Sequence, residues 1–274
     1  MVQRFAAPLL MVVSGLSLYA GAALAVGLFD VLPAAVVAWL RIAAAGLLLL
    51  ALRRPAPADF VGRAGLIAAV FGFVTLCMNV SFYEAIAHLP LGTAVAIEFL
   101  GPIVVAAWGS RSVRDWLALL LAGGGVLVMS GAQWSSSAYG VIAALLAAVF
   151  WAMYIVLGDR VAHSFSKNSL AVGFFWAGLV SSPFALLLWP SGGWGFAAEV
   201  VLLAGALGLL SAVIPYSLDQ VILRMTGASY FAILLALLPL TAALLGAVML
   251  GQSLTWAEMA GIVAVVVAVV VRQR

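Results

Sequence analysis

The sequence predicts an all-α integral membrane protein of ten transmembrane helices in two inverted five-helix repeats, and three observations predict it. Of its 274 residues, 67% are hydrophobic and 8% charged, whereas a soluble domain is about half apolar and a quarter charged. Arg41 apart, every Lys and Arg lies at a terminus or in every second gap between apolar runs: Arg4; Arg53, Arg54 and Arg63; Arg111 and Arg114; Arg160 and Lys167; Arg224; Arg272 and Arg274. Cytoplasmic loops retain Lys and Arg, so this rhythm places both ends inside and makes the number of spans even. Finally, sliding the chain against itself by 137 residues sets Ala34 on Ala171, Trp39 on Trp176, Pro102 on Pro239, Ala106 on Ala243 and Gly109 on Gly246. Five spans per copy is odd, so the second copy enters the membrane from the opposite side. The repeats are 1–132 and 133–274, within one membrane domain.

The spans follow in order. A bilayer core of about 30 Å takes roughly 20 helical residues. The run 8–28 passes through Ala23-Leu24-Ala25, a small-residue stretch like a signal-peptide cleavage site. Its apolar character continues to Phe29, long enough to span, so it is read as an uncleaved first helix. The second run, 33–52, carries Arg41 midway and stops at Arg53-Arg54-Pro55-Ala56-Pro57. The third, 64–87, holds the only cysteine, Cys77, which excludes intramolecular disulfides and thiolate metal sites. The fourth, 91–110, contains Glu98 and Pro102. The fifth and sixth, 114–131 and 139–158, are split by Gln133-Trp134-Ser135-Ser136-Ser137. The seventh, 169–189, ends at Pro190-Ser191-Gly192-Gly193, and 198–222, 228–250 and 255–271 complete the ten. Trp134, Trp189, Trp194 and Trp256 read as a headgroup belt.

Few ionisable residues fall at membrane depth, where each costs roughly 2.5–3.5 kcal/mol on insertion scales. Arg41 and Glu98 are expected at similar depth, where they pair across the bundle; the alternative is an Arg that binds freed backbone carbonyls. Glu84 lies near the outer end of span three and Asp219 near the inner end of span eight. Pro102 removes the hydrogen bond to the Glu98 carbonyl, and Pro239 does the same to Leu235. Both spans are therefore expected to kink, span four with close approach at Gly92 and Gly101. Asn79 and Tyr83 share a face of span three, Trp151 and Tyr154 a face of span six, and Tyr216 and Asp219 a face of span eight just after Pro215. These residues are the candidate cavity lining, with Arg41, Pro102, Pro239 and Asp219 as structural or gating residues.

The chain has no phosphate-binding Gly loop ending in Lys and no metal-binding His pair, since its two histidines, His88 and His163, lie in or beside loops. It also lacks a Ser-His arrangement or a deep Asp pair, so no catalytic residue, metal or cofactor is assigned and an enzyme is not expected. The net charge of +3 is accounted for by loop positions, so nucleic acid is not an expected partner. A single deep Arg is poorly matched to a diphosphate, and the pocket suits a small neutral or zwitterionic solute.

Several stretches carry a family resemblance. Met78-Asn79-Val80-Ser81-Phe82-Tyr83 with Ile86, then Pro90-Leu91-Gly92-Thr93-Ala94-Val95-Ala96-Ile97-Glu98-Phe99 and Gly101-Pro102, resemble the third and fourth helices of the drug/metabolite transporter superfamily. Leu40-Arg41, Trp151-Ala152-Met153-Tyr154-Ile155 and Pro215-Tyr216-Ser217-Leu218 fit the same pattern. More narrowly, the chain is similar to EamA-type exporters of threonine, homoserine and other amino acids, aromatic ones included. The resemblance implies a bacterial inner-membrane location, alternating access, and a central cavity lined mainly by helices one, three, four, six, eight and nine. A broad drug or metabolite effluxer and a non-transporting membrane scaffold are the alternative readings. The chain departs from many members at Gly251-Gln252, where they have Gly-Glu. The expected partners are an amino-acid solute and the lipid bilayer; a monomer is compatible with such a site, and the oligomeric state stays open. Reporter fusions to either end should read cytoplasmic, and ends on opposite faces would break the inverted-repeat reading.

Overall fold

The computed structural model describes residues 2–29, 32–89, 91–130, 137–163, 167–191, 197–241 and 256–273. The helices are α1 (Val2–Phe29), α2 (Ala34–Arg53), α3 (Gly62–His88), α4 (Leu91–Glu98), α5 (Leu100–Trp108), α6 (Val113–Ser130), α7 (Ala138–Ala162), α8 (Ser169–Leu187), α9 (Ala197–Gly208), α10 (Ile214–Leu234) and α11 (Trp256–Gln273). A 3-10 turn, Pro57–Phe60, precedes α3, and a π-helical turn, Leu209–Val213, joins α9 to α10. Among the described residues there is no strand. Ala34–Arg53, Gly62–His88, Ala138–Ala162, Ser169–Leu187 and Ala198–Leu234 are long and apolar enough to cross a membrane. Large apolar side chains such as Leu9, Leu47, Leu120, Phe184 and Leu202 point outward. On a soluble protein so much exposed apolar surface would drive association; here it is the face offered to lipid.

Among the described residues every expected span meets a helix, with two departures. The eighth and ninth join without a loop. At Gly227 the backbone turns to φ 69°, ψ 168°, so Ile214–Leu234 is two helices meeting at a corner, in a conformation that favours Gly. The eighth span is also not a plain α-helix, because the π turn sits just ahead of Pro215. The expected breaks at the other prolines are present. Phe99, with ψ opened to −11°, separates α4 from α5 three residues before Pro102. Around Pro239 the freed Leu235 carbonyl accepts from the Leu238 N–H at 3.0 Å, a tighter turn in place of the lost bond. Trp134, Trp194, Gly251 and Gln252 lie outside the described residues.

Without a hydrophobic force between helices in lipid, close packing has to come from small residues. α3 lies along α7 and α8, α2 along α8, α6 along α11 and α1 along α10. At the α3–α8 crossing Gly72 and Gly173 face each other, and a Cβ at Gly72 would collide with the Gly173 carbonyl. A Cβ at Gly46 would come within 2.8 Å of the Phe174 backbone, and one at Gly101 would strike the Ala148 carbonyl on α7. Trp39 on α2 donates its Nε1 proton to the Gly178 carbonyl of α8 at 2.9 Å.

The basic gaps gather at one end. There Arg272 pairs with Asp115 and donates to Ser229 Oγ at 3.1 Å, Arg224 Nε donates to the Ala162 carbonyl at 2.8 Å, and Asn168 donates to Asp59 at 2.8 Å. Because backbone, not a movable side chain, meets the added methyl, Gly72→Ala should destabilise the bundle by about 1–3 kcal/mol or abolish folding. Gly124→Ala, with open space around its Cβ, should leave thermal unfolding in detergent nearly unchanged.

Candidate functional site

In span eight, Pro215 has no N–H, so the Ser211 carbonyl four residues earlier loses its helical partner. In the π turn the Ile214 N–H bonds to Leu209, so the Leu210 carbonyl is also left without the amide that would ordinarily serve it. Inside a membrane such groups need partners from elsewhere in the protein. Two other helices supply them. Arg41 Nη2 of α2 donates to the Ser211 carbonyl at 2.5 Å, and the Ser17 hydroxyl of α1 donates to Leu210 at 2.6 Å.

The same guanidinium reaches α3. Arg41 Nη1 donates to Asn79 Oδ1 at 2.8 Å and to the Tyr83 hydroxyl at 3.4 Å, and its carbon lies 5.7 Å from the centre of the Tyr216 ring. Asn79 Nδ2 donates to the Thr75 carbonyl at 2.7 Å and the Tyr216 hydroxyl at 2.9 Å. On the next face of α10 the Tyr154 hydroxyl donates to Asp219 Oδ2 at 2.7 Å and the Ser14 hydroxyl lies 3.4 Å from Oδ1. Tyr154 stacks on Phe71, whose neighbour Phe174 meets Tyr216 edge-on at 5.3 Å, and the Tyr154 and Tyr216 rings are 5.5 Å apart. Six of the candidate residues, Arg41, Asn79, Tyr83, Tyr154, Tyr216 and Asp219, therefore form one buried cluster.

Two candidates stand differently from the sequence reading. Arg41 and Glu98 form no ion pair within 4.0 Å; the guanidinium is turned toward the carbonyl that Pro215 frees, the alternative weighed for it. Glu98 is 9% exposed and, among the described residues, makes no side-chain hydrogen bond or ion pair. Trp151 is half-buried and packs edge-on against Phe99 at 5.9 Å, beside the α4–α5 break, with Tyr154 turned to the other cluster. Pro102 and Pro239 sit at helix breaks away from the hydrogen-bonded group. Sequence reasoning missed Ser14, Ser17 and Ser211. A serine in an apolar run carries no signal of its own, although the offset applied to Pro102 and Pro239 would, applied to Pro215, have found the Ser211 carbonyl.

Two polar groups of the bundle are left unmatched. Arg41 Nε, in the cluster, is buried without a hydrogen-bond partner, and Glu98, outside the cluster, makes no side-chain hydrogen bond or ion pair among the described residues, although it lies within the field of Arg41. An unmet donor on a cation and an unmatched carboxylate in one bundle complement a molecule carrying both a carboxylate and an ammonium group.

The EamA-like transporter family matches residues 138–272, the second half of the chain. The threonine/homoserine exporter RhtA of Salmonella typhimurium (strain SL1344) is 32% identical over 263 residues, covering 95% of this chain and 88% of the relative. The threonine/homoserine exporter RhtA of Escherichia coli (strain K12) is 32% identical over 262 residues, covering 94% and 88%. A solved crystal structure at 18% identity superposes with a TM-score of 0.78 over 99% of this chain and 96% of that one, which shows a shared fold.

Replacing Arg41 with Met would leave the Ser211 carbonyl and Asn79 Oδ1 unpaired, a loss of about 2–5 kcal/mol. Adding Pro215→Ala restores an N–H for Ser211, so the double variant should be more stable than the sum of the single ones by roughly 0.5–3 kcal/mol. Unfolding of the four proteins in detergent would measure that coupling.

Proposed function

The chain belongs to the EamA-like transporter family, and from that premise we propose that it exports amino acids of the threonine and homoserine type across the bacterial inner membrane, both termini cytoplasmic. The observation that carries the reading is the pair of unmatched groups, Arg41 Nε and the Glu98 carboxylate. Arg41 Nε–H donates to the carboxylate of a zwitterion, and the Glu98 carboxylate accepts from its ammonium. Asn79, Tyr83, Tyr154 and Tyr216 fix the polar frame around them, and Trp151 with Phe99 gives an apolar wall next to Glu98.

The two repeats, 1–132 and 133–274, work as inverted halves that alternate access to this centre. Support comes from the match of the family to one half, and from repeat-equivalent residues in contact: Asn79 and Tyr216, 137 positions apart, are hydrogen-bonded. The breaks at Pro102 and Pro239 let the outer parts of spans four and nine rock while the rest of the bundle stays packed.

Counterflow of labelled threonine into proteoliposomes tests the reading. The wild-type protein should accumulate label, and Glu98→Gln should raise KM by roughly 10–100-fold, the worth of a lost hydrogen bond between charged groups. Unchanged affinity in the variant removes Glu98 from the site. Dye transport without any amino-acid counterflow would favour the broad effluxer.

A further inference from the structure

At the basic end of the bundle, α2, α7, α8 and α10 enclose a cavity of about 120 Å³ bordered by Arg53, Lys167, Ser217, Gln220 and Arg224. It is smaller than the roughly 300–1,000 Å³ of a drug-sized pocket. Its charge is one-sided. Three cations line it with no acidic side chain among the lining residues. The nearby Asp59 is already taken up by the Ala56 N–H and Asn168, and Asp159 faces His163 at 3.7 Å. The N-terminus of α8, at Ser169, opens onto the same space and adds the positive end of a helix.

Gln220 gives the pocket a direction. Both its amide atoms are buried and neither has a hydrogen-bond partner, a costly arrangement for a side chain that serves packing alone. Ser217, Gln220 and Arg224 share one face of α10, and each of the first two is next in sequence to a residue of the central cluster, Tyr216 or Asp219. Between pocket and cluster stand Leu223 and Phe71, both fully buried; both come within 3.3 Å of a Cβ built on Gly158, and Phe71 stacks on Tyr154.

We propose that this pocket is a loading site, where Arg53, Lys167, Arg224 and the Gln220 amide hold the carboxylate of an amino acid arriving from the basic side before it passes Phe71 and Leu223 to the centre. The inference rests on the amino-acid export reading. The cations draw the carboxylate in, and the Gln220 amide donates to it once it has shed water. The chemistry is that of an oxyanion, which a lipid phosphate shares.

The test uses the full chain in vesicles with its basic end outward, with labelled threonine as the probe. Arg53→Gln with Lys167→Gln should raise KM by roughly tenfold at low salt with the maximal rate unchanged, in line with electrostatic steering into a charged cleft. The difference from wild type should shrink as salt rises. Gln220→Leu should raise KM in the same direction without lowering thermal stability, since it breaks no hydrogen bond, and it covers the case in which the double variant does not fold. Inhibition of threonine uptake by threonine amide, which lacks the carboxylate, should be weak and the same in the wild type and all variants. Unchanged KM in every variant overturns the inference while wild-type transport upholds the export reading; a wild-type protein that moves no threonine overturns both. A defect that appears in vesicles containing phosphatidylglycerol and vanishes in pure phosphatidylcholine assigns the pocket to a lipid phosphate and overturns the carboxylate site.

Discussion

A backbone carbonyl in lipid has no water to turn to, and the one that Pro215 releases at Ser211 organises the centre of this protein. It draws the guanidinium of Arg41, a residue expensive to place at that depth, and thereby justifies its presence. Once α2 is tied to α10 through that contact, the remaining donors of Arg41 fix Asn79 and Tyr83 on α3, and Asn79 in turn fixes the Tyr216 hydroxyl. Three helices are oriented by one missing N–H. α1 joins through Ser17 on the adjacent carbonyl and Ser14 beside Asp219.

The prolines differ in how their breaks are repaired, and the difference separates fixed from adjustable parts. In span eight the freed carbonyls are served by side chains from other helices, so changing the bend there means exchanging partners across the bundle. In span nine the Leu235 carbonyl is served by Leu238, three residues on in the same segment. That turn carries its own hydrogen bonds with it when it moves. Close contacts reinforce the fixed part: the backbones of α3 and α8 touch at Gly72 and Gly173, and α2 meets α8 at Gly46 and Gly178.

Much of this was legible in the residues. The alternation of Lys and Arg marks gaps that do gather at one end, where Arg272, Asp115, Arg224 and Asp59 make their contacts. The helix breaks at Pro102 and Pro239 follow from the missing N–H. What could not be read are features that depend on where a second helix lies. The π turn has no composition of its own, Ser14 and Ser17 look like any serine in an apolar run, and the direction of Arg41 was undecided between a carboxylate and a carbonyl until α10 was in place. Trp151 shares a face with Tyr154 by spacing, yet it packs edge-on against Phe99 while Tyr154 bonds Asp219, a difference set by where the neighbouring helices lie.

The charge inventory of the centre argues for a zwitterion over either a cation or an anion. One guanidinium and two carboxylates, Glu98 and Asp219, lie buried, and neither carboxylate has a cation within ion-pair distance. Asp219 is held by hydroxyl donors from Tyr154 and Ser14, and so has partners without needing a ligand. Glu98 has neither, and Arg41 keeps one donor unspent. A bound cation would meet Glu98 and leave the Arg41 donor unmet; a bound anion would do the reverse, with a carboxylate still buried alone. On the proposed reading a molecule with both charges would match both groups at once, whereas a doubly charged phosphate would leave Glu98 unmatched.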